Sequence, residues 1–227
     1  MSGLNSCLNT IDIQRFKQSI YLKDVIPEEN GEKETENRPL SPCLQKEYCM
    51  PEVWDVYDVN RQRTGKTILR ENSWGNERYH LIVHVGIFNR EGKMLIQKRC
   101  HQKRAWPDLW DVSAGGSALA GEESWQAAER ETMEEIGLRL NLRDVRPHFS
   151  INYERGFDDF YAVTADVDPE DLTFQESEVA GAKWASLEEI REMLQDHTFT
   201  PYFPGVLELL FQTHDNYDGA ICQKKGV

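Results

Sequence analysis

Three glutamates, Glu131, Glu134 and Glu135, stand at i, i+3 and i+4 within the stretch from Glu123 to Gly137. On a helix turning by about 100° per residue, Glu134 falls near −60° and Glu135 near +40° of Glu131, so the three carboxylates share one arc of the surface. Trp125, Ala128, Thr132, Met133 and Ile136 fall on the other side, where they can dock on a sheet. Like charges at this spacing repel by roughly a few tenths of a kcal/mol per pair. Two arrangements offset that cost: a fully solvated acidic face, or a hard divalent cation such as Mg²⁺ or Mn²⁺, which takes carboxylate oxygens and completes its shell with water and substrate phosphate.

The residues around the cluster favour the second arrangement. Gly116, Glu122, Arg130, Glu131, Glu134, Glu135 and Gly137 stand in the register G-x5-E-x7-R-E-U-x-E-E-x-G-U. With each residue type near about 7% of positions, seven fixed matches occur by chance on the order of once in 10⁸ windows. In this pattern the chain resembles the Nudix hydrolase family. The resemblance covers roughly residues 52–215, with the box as its only highly specific part, and it implies an α/β fold: a Nudix-type α/β/α sandwich with a mixed β-sheet. It further implies that Glu131, Glu134 and Glu135 ligate the metal, joined by the carbonyl of Gly116. Arg130 would orient the carboxylates by ion pairing, with Glu122 as a supporting carboxylate. The implied reaction is metal-dependent hydrolysis of a diphosphate linkage in a nucleoside diphosphate derivative or related organic pyrophosphate. The metal polarises the diphosphate and supplies a nucleophilic water, and a nearby carboxylate accepts its proton.

Within the family, Lys98-Arg-Cys-His-Gln-Lys-Arg-Ala-Trp-Pro-Asp-Leu-Trp110 is similar to the segment ahead of the box in isopentenyl diphosphate isomerases, which share Trp-Pro-x-x-Trp. Those enzymes need a cysteine directly before the glycine that opens the box and a metal-binding histidine directly after it. Gly115 and Ser117 occupy these places, and His80, which matches another isomerase metal histidine, cannot form that site alone. These departures point to a hydrolase on an isomerase-like scaffold. An isomerase-like enzyme and a non-catalytic ligand-binding module are the alternatives; the missing cysteine disfavours the first, the complete carboxylate set the second. Thr132 departs from the aliphatic residue usual at its position but can still pack.

Further candidates lie outside the box. Lys98, Arg99, Lys103 and Arg104 put four positive charges within seven residues where substrate phosphates would lie, as phosphate contacts or as a solvated basic loop. Trp54, Tyr57, Trp106 and Trp110 either stack on a base or pack in the core. Glu178 is either an acidic residue near the attacking water or a solvated loop carboxylate. The substrate-binding expectation is Lys98, Arg99, Trp54 and Glu178. His84 is read as an interior hydrogen-bonding residue, and Cys100 as structural.

Such a site needs rigid elements to position it. Tyr79 to Asn89 reads as a strand buried on both faces, with Leu81, Val83, Val85 and Ile87 on one side and Ile82 and Phe88 on the other. A turn at 89–92 returns it to a strand at 93–99. Trp110 to Ala114 is a short strand, followed by a glycine-rich loop and the box helix, which stops at Gly137. Pro51 to Asp58 and Lys66 to Arg70 read as an opening hairpin. Strands follow at 148–153, 157–165 and 182–185, and helices at 186–195 and 204–211. Residues 1–49 hold a weakly amphipathic piece and a polar run from Pro27 to Pro39, and read as a poorly ordered extension ahead of a domain at 50–227.

Composition narrows the function class. A net charge of −13 disfavours a nucleic-acid polymer as partner. The longest apolar run, Leu81 to Phe88, is interrupted by His84 and is far short of the roughly 20 residues that span a bilayer. Five cysteines without a C-x-x-C pair indicate neither a disulfide framework nor a zinc knuckle. A small-molecule diphosphate substrate and a cytoplasmic location are the expectations, and a homodimer is compatible with them.

Overall fold

The computed structural model describes residues 51–72 and 79–215; the N-terminal extension expected over residues 1–49 lies outside them. Among the described residues, Val53–Tyr57 (β1) and Arg63–Leu69 (β2) form an antiparallel hairpin. The main sheet comprises His80–Phe88 (β3), Met94–Arg99 (β4), Trp110–Asp111 (β5), Ala114–Ser117 (β6), Phe149–Tyr153 (β7), Gly156–Thr164 (β8) and Val179–Ala185 (β9). Its path runs β5-β4-β3-β8-β7, with β6 on β3 and β9 on β4. The β3–β8 pair is parallel and the others are antiparallel, so the sheet is mixed.

Helices cover both faces. Ser124–Ile136 (α1) packs on one, while Leu187–Gln195 (α2) and Pro204–Thr213 (α3) cover the other. The period-2 alternation of the strands assigns residues to the two layers. Leu81, Val83, Val85, Ile87 and Leu95 meet Ala127, Ala128 and Ile136 of α1. Phe88, Met94 and Ile96 point the other way, to Ile190 of α2 and Leu207 and Leu210 of α3. This is the expected α/β/α sandwich.

The structure differs from the sequence expectation in one respect that matters for the site. The sequence reads as one short strand from Trp110 to Ala114 and then a glycine-rich loop, yet the strand stops at Asp111 and residues 114–117 form a second strand that pairs with β3, Gly115 opposite His84 and Gly116 opposite Val83. β3 therefore divides its edge: β4 pairs with its end at Ile87 and Phe88, and β6 takes its middle. A β-carbon on Gly115 would lie 2.8 Å from the Val83 carbonyl oxygen, so absent side chains are what allow this close pairing.

Candidate active site

The box helix is held at both ends. Glu123 caps the start, with reciprocal bonds between it and Gln126. Arg63 of β2 reaches across to Glu123 (2.9 Å) and also bonds the Glu122 carbonyl, so the hairpin clamps the helix entrance. Asp55 accepts from the Gly121 amide at 2.8 Å and strengthens the clamp. Beneath this end the fully buried Asp159 accepts from Ser124 and Ser150 and pairs with Arg61, tying the first turn to β7 and β8. At the other end Gly137 adopts φ 71°, a left-handed conformation that a side chain would strain, and its amide donates to Met133.

Arg130 is the hub of the acidic surface. Its guanidinium binds Glu122 through two contacts (Nε 2.8 Å, Nη2 3.0 Å), Glu131 at 2.9 Å and Glu134 at 3.0 Å, and donates to the Ser117 carbonyl. Burial by itself would lower this guanidinium, but the bonds to Glu122 and the charges of Glu131 and Glu122 outweigh it and push the pKa up. Glu122 also accepts from the Leu119 amide, which fixes the loop between β6 and α1.

Glu131 and Glu135 lie under the sheet edge. The Glu131 carboxylate sits so tightly against Gly116 that a β-carbon there would overlap it. Glu135 is 4% exposed and accepts from Gln97 Nε2 (2.9 Å) and the Gly115 amide (3.1 Å). Burial raises the pKa of both, with the charge of Glu131 adding to that of Glu135, which is pushed up to about 7 despite its two hydrogen bonds. Two mutually repelling, half-desolvated carboxylates with only oxygen donors fit a hard divalent cation. Glu134 is the solvent-facing member, and Arg130 draws it along the helix surface. Among the described residues, no group of three or more His, Cys, Asp or Glu side chains converges on one point.

The substrate-binding candidates are dispersed. Arg99 lines a cleft of about 530 Å³ that opens beside Gly115 and Gly116. Its Nη1 pairs with Asp111 at 3.0 Å, and its Nε and Nη2 donate to the Ala105 carbonyl. Lys98, Trp54 and Glu178 are not among the cleft-lining residues. The Lys98 ammonium lies 5.8 Å from the Trp110 ring centroid. Trp54 is buried, with its indole stacked on His80 at 4.5 Å between centroids, so that face is closed to a ligand. Glu178 pairs with Lys103, whose ammonium also feels Glu135 and Glu131. His80 donates its backbone to the Arg155 carbonyl and meets Tyr153 Oη at 3.0 Å, and burial lowers its pKa to about 4.

Several contributors escape a reading of the sequence. Gln97 is one, although a signal existed: in Met94-Leu-Ile-Gln97 it shares the α1-facing side with Leu95, where a polar side chain needs a partner. Asp111, Asp158 and Tyr202 are others. They line the cleft together with His84, Trp106 and Phe203, and no local pattern links positions so far apart.

The comparisons with known proteins agree with this geometry. Residues 78–203 match the NUDIX domain model. The uncharacterized Nudix hydrolase lmo0368 of Listeria monocytogenes is 47% identical over 152 residues, which cover 67% of this chain and 90% of that protein. An isopentenyl-diphosphate Delta-isomerase of Pectobacterium atrosepticum is 31% identical over 160 residues, 65% of this chain and 85% of that enzyme. Among solved structures, DR0079 from Deinococcus radiodurans superimposes with a TM-score of 0.58 at 22% identity, over 71% of this chain and 98% of that one, and shares the fold. Nudix hydrolases cleave diphosphate linkages and generally use divalent metal ions. With the box in register on α1, buried carboxylates beneath β6 and close relatives of that name, the chain belongs to the Nudix hydrolase family.

Proposed function

We propose that this enzyme uses Mg²⁺ or Mn²⁺, held by Glu131, Glu134, Glu135 and the Gly116 carbonyl, to hydrolyse nucleoside diphosphate derivatives or related organic pyrophosphates. The observation that carries the reading is the carboxylate pair, half-buried Glu131 and buried Glu135, packed against Gly116 and Gly115, two of the residues that line the cleft. When bound, the cation offsets their repulsion, polarises the diphosphate and activates water. Arg130 holds Glu131, and its contact to Glu134 is the more exposed of the two, so Glu134 is the carboxylate that would be freed to join Glu131 and Glu135 in holding the cation. Glu135 is fixed by Gln97 Nε2 and the Gly115 amide, and a carboxylate oxygen not bound to the cation would accept the proton of the attacking water. Lys103, which pairs with Glu178, adds positive charge near Glu131 and Glu135.

The relatives named as isomerases favour a second reading, allylic isomerisation, which moves a proton across a double bond and needs an acid and a base flanking the hydrocarbon. Gly115 supplies neither. A panel of nucleotide sugars, dinucleotides, nucleoside di- and triphosphates and isopentenyl diphosphate, each with and without metal and with products separated by mass, decides between them. The expected outcome is metal-dependent cleavage of at least one nucleoside diphosphate derivative and no dimethylallyl diphosphate. Glu134→Gln should lower that turnover by on the order of 10² to 10⁴ with the fold intact. Isomerisation by the wild type, or normal turnover by Glu134→Gln, overturns the reading.

A further inference from the structure

The cleft beside Gly115 and Gly116 is apolar over much of its wall, with Ile82, Val112, Ile151, Phe160 and Val206 among its lining residues. Two aromatic side chains that the fold leaves exposed, Trp106 at 40% and Phe203 at 78%, also line it. Apolar walls with exposed aromatic side chains form a surface for an organic group.

The charges within the cleft are already spoken for. Arg99 is bound on all three nitrogens, to Asp111 and the Ala105 carbonyl. Asp111 in turn accepts from Tyr202 Oη at 3.0 Å, and Tyr202 Oη meets His84 Nδ1 at 3.1 Å. His84 Nε2 lies 3.4 Å from Asp158 Oδ1. Arg99 and Asp111 cancel, so the remaining cleft-lining carboxylate, Asp158, faces His84, and no further Lys or Arg among the lining residues is left to receive a second anion. Thr200 Oγ1, buried and without a hydrogen-bond partner among the described residues, adds a neutral polar group to the same wall. In a partly enclosed cleft an unpaired like charge is costly on both Coulombic and desolvation grounds.

We propose that the organic group of the substrate enters this cleft, that it carries no negative charge of its own, and that Asp158 enforces the discrimination. The inference rests on the diphosphate reading above and adds what that reading leaves open, the chemical class of the attached group. The phosphates lie at the Gly116 end near Glu131. A group with a further phosphate or carboxylate is rejected, and an uncharged ring or chain is accepted.

Calorimetric titration tests this with two non-hydrolysable ligands that each have a single organic group, phenethyl methylenediphosphonate and its 4-carboxy derivative, in the presence of Mg²⁺. The wild type should bind the uncharged ligand at least tenfold more tightly. Asp158→Asn, which keeps the size and the hydrogen-bonding reach, should leave the uncharged ligand's affinity unchanged and bring the carboxylate to within about threefold of it. Phe203→Ala should weaken both ligands together. Equal affinity of the two ligands for the wild type, or a preference that survives in Asp158→Asn, overturns the proposal, as does failure of both to bind. Because these ligands are not cleaved, hydrolysis in the substrate panel judges the diphosphate reading independently.

Discussion

Replacing Glu135 with glutamine should make the metal-free enzyme more stable at alkaline pH while weakening its response to metal. In the folded state Glu135 is 4% exposed, and burial followed by the charge of Glu131 lifts its pKa from 4.5 to about 7. Because the folded form holds the proton more tightly than the unfolded chain, this group's contribution is fully present below pH 4.5 and is lost as pH rises toward about 7. At about 1.36 kcal/mol per pKa unit, the penalty above pH 7 is on the order of 3 kcal/mol. Glutamine removes the charge and keeps a carbonyl that can accept from Gln97 Nε2 and the Gly115 amide, although its own amide must find an acceptor. The net gain at pH 8 is therefore about 1 to 3 kcal/mol, or several degrees in melting temperature for a domain of this size. The assay is thermal and urea unfolding in chelator at pH 4.5 and pH 8, repeated with Mg²⁺. Mg²⁺ should raise the wild-type melting temperature at pH 8 and raise that of Glu135→Gln less. A wild-type stability that is flat between the two pH values, together with no gain in the variant, would refute the assignment of Glu135 as a strained buried acid.

Gly116→Ala places a methyl group on the Glu131 carboxylate, so it should cost about 1 to 3 kcal/mol of stability by urea titration and at least tenfold in turnover. Gly115→Cys should not yield an isomerase, since its β-carbon approaches the Val83 carbonyl to 2.8 Å and Ser117 still lacks the histidine; dimethylallyl diphosphate from this variant would contradict that. His80, with its pKa lowered to about 4 by burial, contributes stability that is complete above pH 6.5 and is lost as pH falls toward 4; His80→Phe should flatten that slope in acid unfolding curves. A chain beginning at Met50 should keep both its melting transition and its turnover, and aggregation or lost activity would show that residues 1–49 pack on the domain or cover the site.

What the sequence determined by itself was the chemistry of one helix and the period of the strands. Glu131, Glu134 and Glu135 must share an arc because helical geometry is local, and Leu81, Val83, Val85 and Ile87 must share a face because pleating is local. The fold class followed from these periodicities and the box. Everything that depends on which strand edge lies beside which was decided by tertiary structure. Residues 114–117 carry two glycines and little strand propensity, yet they pair with β3 because only residues without side chains fit there, and that pairing sets Gly115 and Gly116 over Glu135 and Glu131. Trp54 and Glu178 have the side chains of ligand-binding residues, but folding commits the first to His80 and the second to Lys103. The cleft itself is drawn from β3 to β8, from the segment after α2 and from α3, so that Asp111, Asp158 and Tyr202 line one cleft from positions far apart in the chain. Non-local contacts of that kind leave no periodic trace in a single sequence, and for that reason the carboxylate-bearing helix was legible and the cleft was not.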